Sequence, residues 1–186
     1  MKKVAYIMIG FACLTSAALG ESRFGPFASW LNSNSEDAFG GGLKYEWLFT
    51  RNLGVDVRAS YLSDEDMYVI PLELGLVGVW PLQGLSLYAS LGGGYYIPED
   101  VSRDYGFGEI EGPDAAFGFY GAAGIRLPAA DNMEFFAEVK YTKAESDEET
   151  GGGYWRNSYN YVVSETTKLG MDLDGVGVNA GLLWTF

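Results

Sequence analysis

Apolar and polar side chains alternate with a period of two along most of this chain. Phe39, Leu43, Tyr45, Trp47 and Phe49 share one parity, and Gly40, Gly42, Lys44 and Glu46 share the other. Val55, Val57, Ala59 and Tyr61 stand against Asp56, Arg58 and Ser60 in the same way. Tyr68, Ile70, Leu72, Leu74, Leu76 and Trp80 stand against Pro71, Glu73, Gly75 and Val77. A period of two is the signature of a β-strand whose two faces meet different surroundings.

Four more stretches repeat the pattern. Leu85, Leu87, Ala89 and Leu91 are backed by Ser86, Tyr88, Ser90 and Gly92. Phe117, Phe119, Gly121, Ala123, Ile125 and Leu127 are backed by Gly118, Tyr120, Ala122, Gly124 and Arg126. Met133, Phe135, Ala137, Val139 and Tyr141 are backed by Glu134, Phe136, Glu138, Lys140 and Thr142, and Val176, Val178, Ala180, Leu182, Trp184 and Phe186 alternate with Gly177, Asn179, Gly181 and Thr185. That makes seven clear strands. An eighth is expected within residues 22 to 31, "SRFGPFASWL", where Pro26 interrupts a poor alternation. Met171 and Leu173 are out of phase with Val176, so the last strand either starts near Val176 or is reset by a bulge at Asp174 and Gly175.

The links between strands sort by parity. The odd ones, 32 to 37, 63 to 66, about 97 to 114 and about 143 to 170, are the longer and more polar class, whereas "TRNL", "PLQG" and "PAADN" are short. Strands that run up and down through a bilayer produce that division, with short turns on one side and longer loops on the other. A soluble barrel or sandwich would also alternate, but its polar face would meet water and carry many Lys and Glu. Here the polar face is rich in Gly, Ala and Ser with few charges, as a narrow barrel interior requires. The predicted fold is all-β, an eight-stranded antiparallel up-and-down transmembrane barrel.

The first twenty residues, "MKKVAYIMIGFACLTSAALG", read as a signal peptide with a basic start, an apolar stretch and small residues before a cleavage point at Glu21. A competing reading makes Cys13 a lipoprotein attachment site, which Gly10 and Phe11 fit poorly. Cleavage leaves a single barrel domain, residues 21 to 186, without cysteine. It also removes Lys2 and Lys3 from the 12 basic residues, so that 10 face 25 acidic ones. A nucleic-acid partner is not expected on that balance.

The leader, the even strand count and a final strand bearing Trp184 and Phe186 together resemble the eight-stranded outer-membrane barrel family typified by OmpA and OmpX. The resemblance implies a bacterial outer-membrane location and contact with outer-membrane lipids. It also implies that the barrel assembly machinery reads the last strand, with Trp184 and Phe186 as the insertion signal.

Candidate chemistry is limited by what is missing. The sequence contains no histidine, and the outer-membrane barrel enzymes resemble one another in relying on a catalytic one. The common general base is therefore absent, and so is a thiol nucleophile after processing. No enzyme and no cofactor are expected. Lys44, Glu46, Asp56, Arg58, Glu73, Arg126, Glu134, Glu138 and Lys140 all fall on polar faces. They are expected to form a salt-bridge network that fills the lumen, the alternative being an ion path. Glu46 and Arg58 are expected to be neighbours if the "LFTRNLG" hairpin is centred near Asn52.

Acidic clusters at Asp64, Glu65 and Asp66, at Glu99 and Asp100, and at Glu145, Asp147, Glu148 and Glu149 are candidate divalent-cation contacts in the outer loops. Tyr154, Trp155, Tyr159 and Tyr161 form an aromatic cluster that reads either as a projecting hairpin or as a surface for host or phage ligands. The expected function is a small non-enzymatic outer-membrane barrel, structural or surface-interacting. The alternatives are a narrow channel or OmpW-like conduit, and an adhesin acting through residues 143 to 170.

Overall fold

A computed structural model describes residues 20–33, 37–63, 68–99, 115–144 and 173–186. Eight strands follow one another: β1 (Glu21–Ser33), β2 (Asp37–Leu48), β3 (Leu53–Ser63), β4 (Tyr68–Leu82), β5 (Leu85–Glu99), β6 (Ala116–Ala130), β7 (Met133–Ala144) and β8 (Gly175–Thr185). Each pairs antiparallel with its sequence neighbours, and β1 pairs with β8 to close the barrel. A strand of 11 residues such as β3 or β8, at about 3.3 Å per residue and tilted by about 45°, spans about 25 Å.

The two mouths differ as the link lengths require. At the near mouth lie both described chain ends and the short turns. Thr50 Oγ1 accepts hydrogen bonds from the Asn52 and Leu53 amides at 3.2 and 2.9 Å. Asn52 then ties that turn to β4, its Nδ2 donating to the Val79 carbonyl at 2.7 Å and its carbonyl accepting from the Val79 amide at 2.8 Å. The β4–β5 turn is only Gln83–Gly84, and Gly84 has φ of 79°, a left-handed conformation that glycine adopts without a steric penalty. The four longer links leave from the far mouth.

The first strand is longer and more regular than its sequence suggests. It covers Glu21–Ser33 because Phe27 and Leu31 turn inward and are buried while Phe24 and Trp30 face out. Apolar residues on both faces hide the alternation. Pro26 sits where the β1–β8 register skips Gly25 and Pro26, consistent with a residue that has no N–H to donate. At the other end, β8 begins at Gly175, and Leu173 is buried at the far mouth with its amide donating to the Ala144 carbonyl at 3.0 Å. Leu173 shares the inward parity of Gly175 and Gly177, which is why it read as out of phase with Val176. No bulge is needed there.

The faces are inverted relative to a soluble protein. Leu72, Leu74, Leu76, Leu87, Leu91, Val139, Val176 and Val178 are exposed on the outside, whereas Lys44, Glu46, Asp56, Arg58 and Arg126 are buried inside. Aromatics collect towards both ends of the outer face. Trp47 packs edge-on against Phe49 near the short turns, and Tyr61 stacks on Tyr68 near the far mouth. The belt between them is aliphatic.

Leu74 lies in that belt, in register with Val57 on β3 and Gly93 on β5. In a lipid-facing position near the midplane, Leu74→Arg will cost about 2–4 kcal/mol. Urea titration of the barrel refolded in lipid vesicles measures it, and wild-type stability of the variant would remove Leu74 from the midplane.

Candidate functional site

The interior is layered. Towards the far mouth, Leu31, Leu62, Val69, Tyr96, Ala116, Ala144 and Leu173 form one buried apolar cluster. Towards the near mouth, Phe27, Leu48, Val77, Val79, Tyr88, Phe136 and Leu183 form a second. Between them lie most of the inward charges.

Each of those charges is brought inside by strand parity. β2 supplies Lys44 and Glu46, β3 supplies Asp56 and Arg58, β4 supplies Glu73, β6 supplies Arg126, and β7 supplies Glu134, Glu138 and Lys140. Lys44 Nζ lies 3.1 Å from Glu46, 3.7 Å from Asp56 and 3.2 Å from Glu138. Arg58 bonds Asp56 at 2.6 Å and also forms a short pair with Glu138. Arg126 Nη2 donates to both Glu46 oxygens at 2.7 Å, and Lys140 pairs with Glu73 at 2.6 Å. These side chains are almost entirely shielded from solvent.

Neutral groups complete the network. Tyr88 Oη donates to Glu138 at 2.7 Å, Tyr96 Oη to Glu73 at 2.9 Å, and Asn179 Nδ2 to Glu138 at 2.8 Å. Arg58 Nη2 donates to Ser90 Oγ at 2.9 Å. The cations also rest on ring faces: Arg126 is 4.3 Å and Lys44 4.6 Å from the Tyr88 centroid, and Arg58 is 5.0 Å from that of Tyr120. Glycines give these rings their space. A Cβ at Gly92 would lie 2.7 Å from the Tyr120 ring, and one at Gly124 would lie 2.8 Å from the Tyr88 ring.

One expected neighbour pair does not form. Glu46 stands opposite Asp56, and Lys44 opposite Arg58. The hairpin is centred one residue earlier than Asn52, so Glu46 turns to Lys44 and Arg126 while Arg58 turns to Asp56 and Glu138.

The parity reading also omitted Arg23. Its Nη2 donates to Glu21 at 2.7 Å, and its Nε lies 3.5 Å from Glu134. With Arg23 included, five inward cations (Arg23, Lys44, Arg58, Arg126 and Lys140) face five enclosed anions (Glu46, Asp56, Glu73, Glu134 and Glu138), and Glu21, on the same face as Arg23 but half-exposed at the near mouth, is a sixth. The nine residues picked from the sequence hold four cations and five anions. The available signal was position: Arg23 shares the odd parity of inward Phe27 and Leu31 on β1.

A cavity of about 10 Å³ beneath the far apolar cluster is lined in part by Ser29, Tyr96, Lys140, Thr142 and Asn179, which is room for about one water. Among the described residues no group of three Asp, Glu, Cys or His is arranged to hold a metal ion. The acidic groups at Asp64–Asp66, Asp100 and Glu145–Glu149, and the aromatics Tyr154, Trp155, Tyr159 and Tyr161, lie outside the described residues. Of the expected insertion signal, Trp184 pairs in register with Phe24 and Met133 on the two neighbouring strands. Phe186 is exposed, its amide donating to the Ser22 carbonyl at 2.9 Å.

Removing Arg126 leaves Glu46 to share Lys44 with Asp56 and Glu138, a buried network one cation short. Arg126→Met should therefore destabilise the barrel by about 3–5 kcal/mol, and adding Glu46→Gln should recover part of that loss. Denaturant unfolding of the two variants measures both numbers; a double variant weaker than the single one would show that Glu46 does not depend on Arg126.

No family model matches this sequence, and no curated protein matches it. Solved structures do. The outer-membrane protein OprG from Pseudomonas aeruginosa superposes with a TM-score of 0.68 at 16% identity, over 91% of this chain and 97% of that one. The N-terminal β-barrel domain of Pseudomonas aeruginosa OprF gives 0.58 at 12% identity, over 90% of this chain and 99% of that one. Ail, the attachment invasion locus protein of Yersinia pestis, gives 0.52 at 18% identity with coverages of 90% and 99%. At these identities the likeness is one of fold, and the chain has the eight-stranded up-and-down barrel fold of these outer-membrane proteins.

Proposed function

We propose that the mature protein is a small, non-enzymatic barrel of a bacterial outer membrane, with a side-chain-filled lumen that does not conduct and an anionic outer end that meets the environment. The observation that carries this reading is the inverted polarity of the wall, with ion-paired charges inside and a continuous apolar belt flanked by aromatics outside. Such a belt is stable only against hydrocarbon. Barrels of the same fold that reside in outer membranes support the location. Cleavage before Glu21 would start the mature chain at the first residue of β1, and outward Trp184 with terminal Phe186 would serve as the signal read by the barrel assembly machinery.

The lumen argues for closure. Two apolar layers enclose the charges, and every inward cation already has a carboxylate partner. A permeant ion would have to break those pairs. The absence of histidine from the sequence and the engagement of the buried carboxylates in ion pairs favour a non-catalytic role.

The outer end is where partners would meet the protein. Segments 34–37, 64–67, 99–115 and 143–174, which join strands at the far mouth, contain 18 acidic and 4 basic residues. The Ail structure includes a complex with the heparin analogue sucrose octasulfate. A polyanion of that kind would be repelled here, so cationic partners fit instead, including divalent cations that bridge acidic side chains to anionic lipid headgroups. An adhesive role through Tyr154, Trp155, Tyr159 and Tyr161 would then require a basic or neutral receptor.

Single-channel recording of the refolded barrel in a planar bilayer tests the closed lumen. Folding is established first by a mobility difference between unheated and boiled samples. Electrical silence from folded protein is expected, and discrete, reproducible openings would overturn the sealed-lumen reading.

A further inference from the structure

The β2–β3 hairpin is built with like charges in register. Lys44 stands opposite Arg58, and Glu46 opposite Asp56, an arrangement that is destabilising in an isolated pair of strands. Relief within the hairpin runs along each strand, from Lys44 to Glu46 at 3.1 Å and from Arg58 to Asp56 at 2.6 Å, with a longer diagonal contact from Lys44 to Asp56 at 3.7 Å. The two cations share a further partner on the opposite wall. Glu138 on β7 bonds Lys44 from β2 and Arg58 from β3, and it also accepts from Tyr88 on β5 and Asn179 on β8. No other side chain described here joins five strands through such bonds.

We propose that Glu138 is a closure latch, the buried counter-ion that draws the β2–β3 hairpin onto β7 and so fixes the register in which β8 meets β1. The argument rests on the alternatives it penalises. A slip of β7 by one residue would turn its whole inward set towards the outside, and a slip by two is the smallest that keeps the faces. A two-residue slip brings either Phe136 or Lys140 to the place of Glu138. Phe136 leaves Lys44 and Arg58 without their shared carboxylate, and Lys140 sets a third cation beside them. Only the native register supplies an anion.

The latch is electrostatic, so its loss is reversible by charge balance. In Glu138→Gln, Lys44, Arg58 and Arg126 face only Glu46 and Asp56. In Lys44→Gln/Glu138→Gln, two cations face two anions again. Both variants and the wild type are refolded from urea into lipid vesicles, with two readouts followed in time. Tryptophan fluorescence reports insertion, because Trp30, Trp47 and Trp80 face outward, and gain of the heat-modifiable gel mobility reports closure. Failure of the wild type to insert would bear on the membrane reading and leaves the variants to be compared in detergent micelles.

Glu138→Gln is expected to slow closure by about tenfold, the scale of one charge-assisted hydrogen bond, while insertion keeps its rate. The double variant is expected to recover most of the closure rate. A Glu138→Gln barrel that never closes beside a double variant that does also supports the latch. Equal slowing of insertion and closure, unchanged closure in the single variant, or a double variant that closes no faster than the single one would overturn it.

Discussion

An eight-stranded wall encloses little more than its own side chains, and this one encloses ten charges. That combination governs the rest of the structure. Charges with no water to solvate them must find one another, and here five cations meet five enclosed anions, with Glu21 at the exposed rim as a further partner of Arg23. Arg23 matters for this reason although it sits near one mouth. Its guanidinium bonds Glu21 at the rim and also lies 3.5 Å from the Glu134 carboxylate.

Neutrality alone does not specify a structure, since ten charges can be paired in many ways. The register removes most of them. Placing Lys44 against Arg58 and Glu46 against Asp56 makes the directly opposite neighbours the wrong ones, and correct partners are then found along a strand, across the lumen or, for Lys44 and Asp56, on the diagonal. The rings of Tyr88, Tyr120 and Phe136 fill the intervals, and glycines such as Gly92 and Gly124 on the facing strands make room for them. The apolar layers above and below turn the charged zone into an enclosed compartment, which strengthens each attraction by lowering the local dielectric.

How legible this was in the sequence depends on the range of the interaction. Strands β2 to β8 could be read because lipid and lumen select different residue classes on alternate positions, and parity alone then put Lys44, Glu46, Asp56, Arg58, Glu73, Arg126, Glu134, Glu138 and Lys140 on the inner face. Strand β1 was obscured because its inner face supplies Phe27 and Leu31 to the two apolar layers, so that neither face looks polar, and Arg23 was lost with it. Leu173 was misleading for a related reason, being an inward apolar residue in a zone where inward usually means polar. The partner of each charge was not legible at all. Glu46 with Arg126 and Arg58 with Glu138 are each separated by 80 residues, and which positions meet across a lumen depends on the stagger of the whole barrel.

The first and last strands meet at the near mouth, where the Phe186 amide reaches the Ser22 carbonyl. The wall is therefore a ring interrupted once, and nothing in its geometry marks that interruption as special apart from the proline-bearing stretch of β1. Ribosomal order supplies what geometry does not: β1 is made first and must remain unpaired on one edge until β8 exists. An edge kept waiting is open to other strands, including those of neighbouring copies. Pro26 removes one donor from that waiting edge, which makes it a poorer template for the wrong partner at the cost of a weaker seam with the right one.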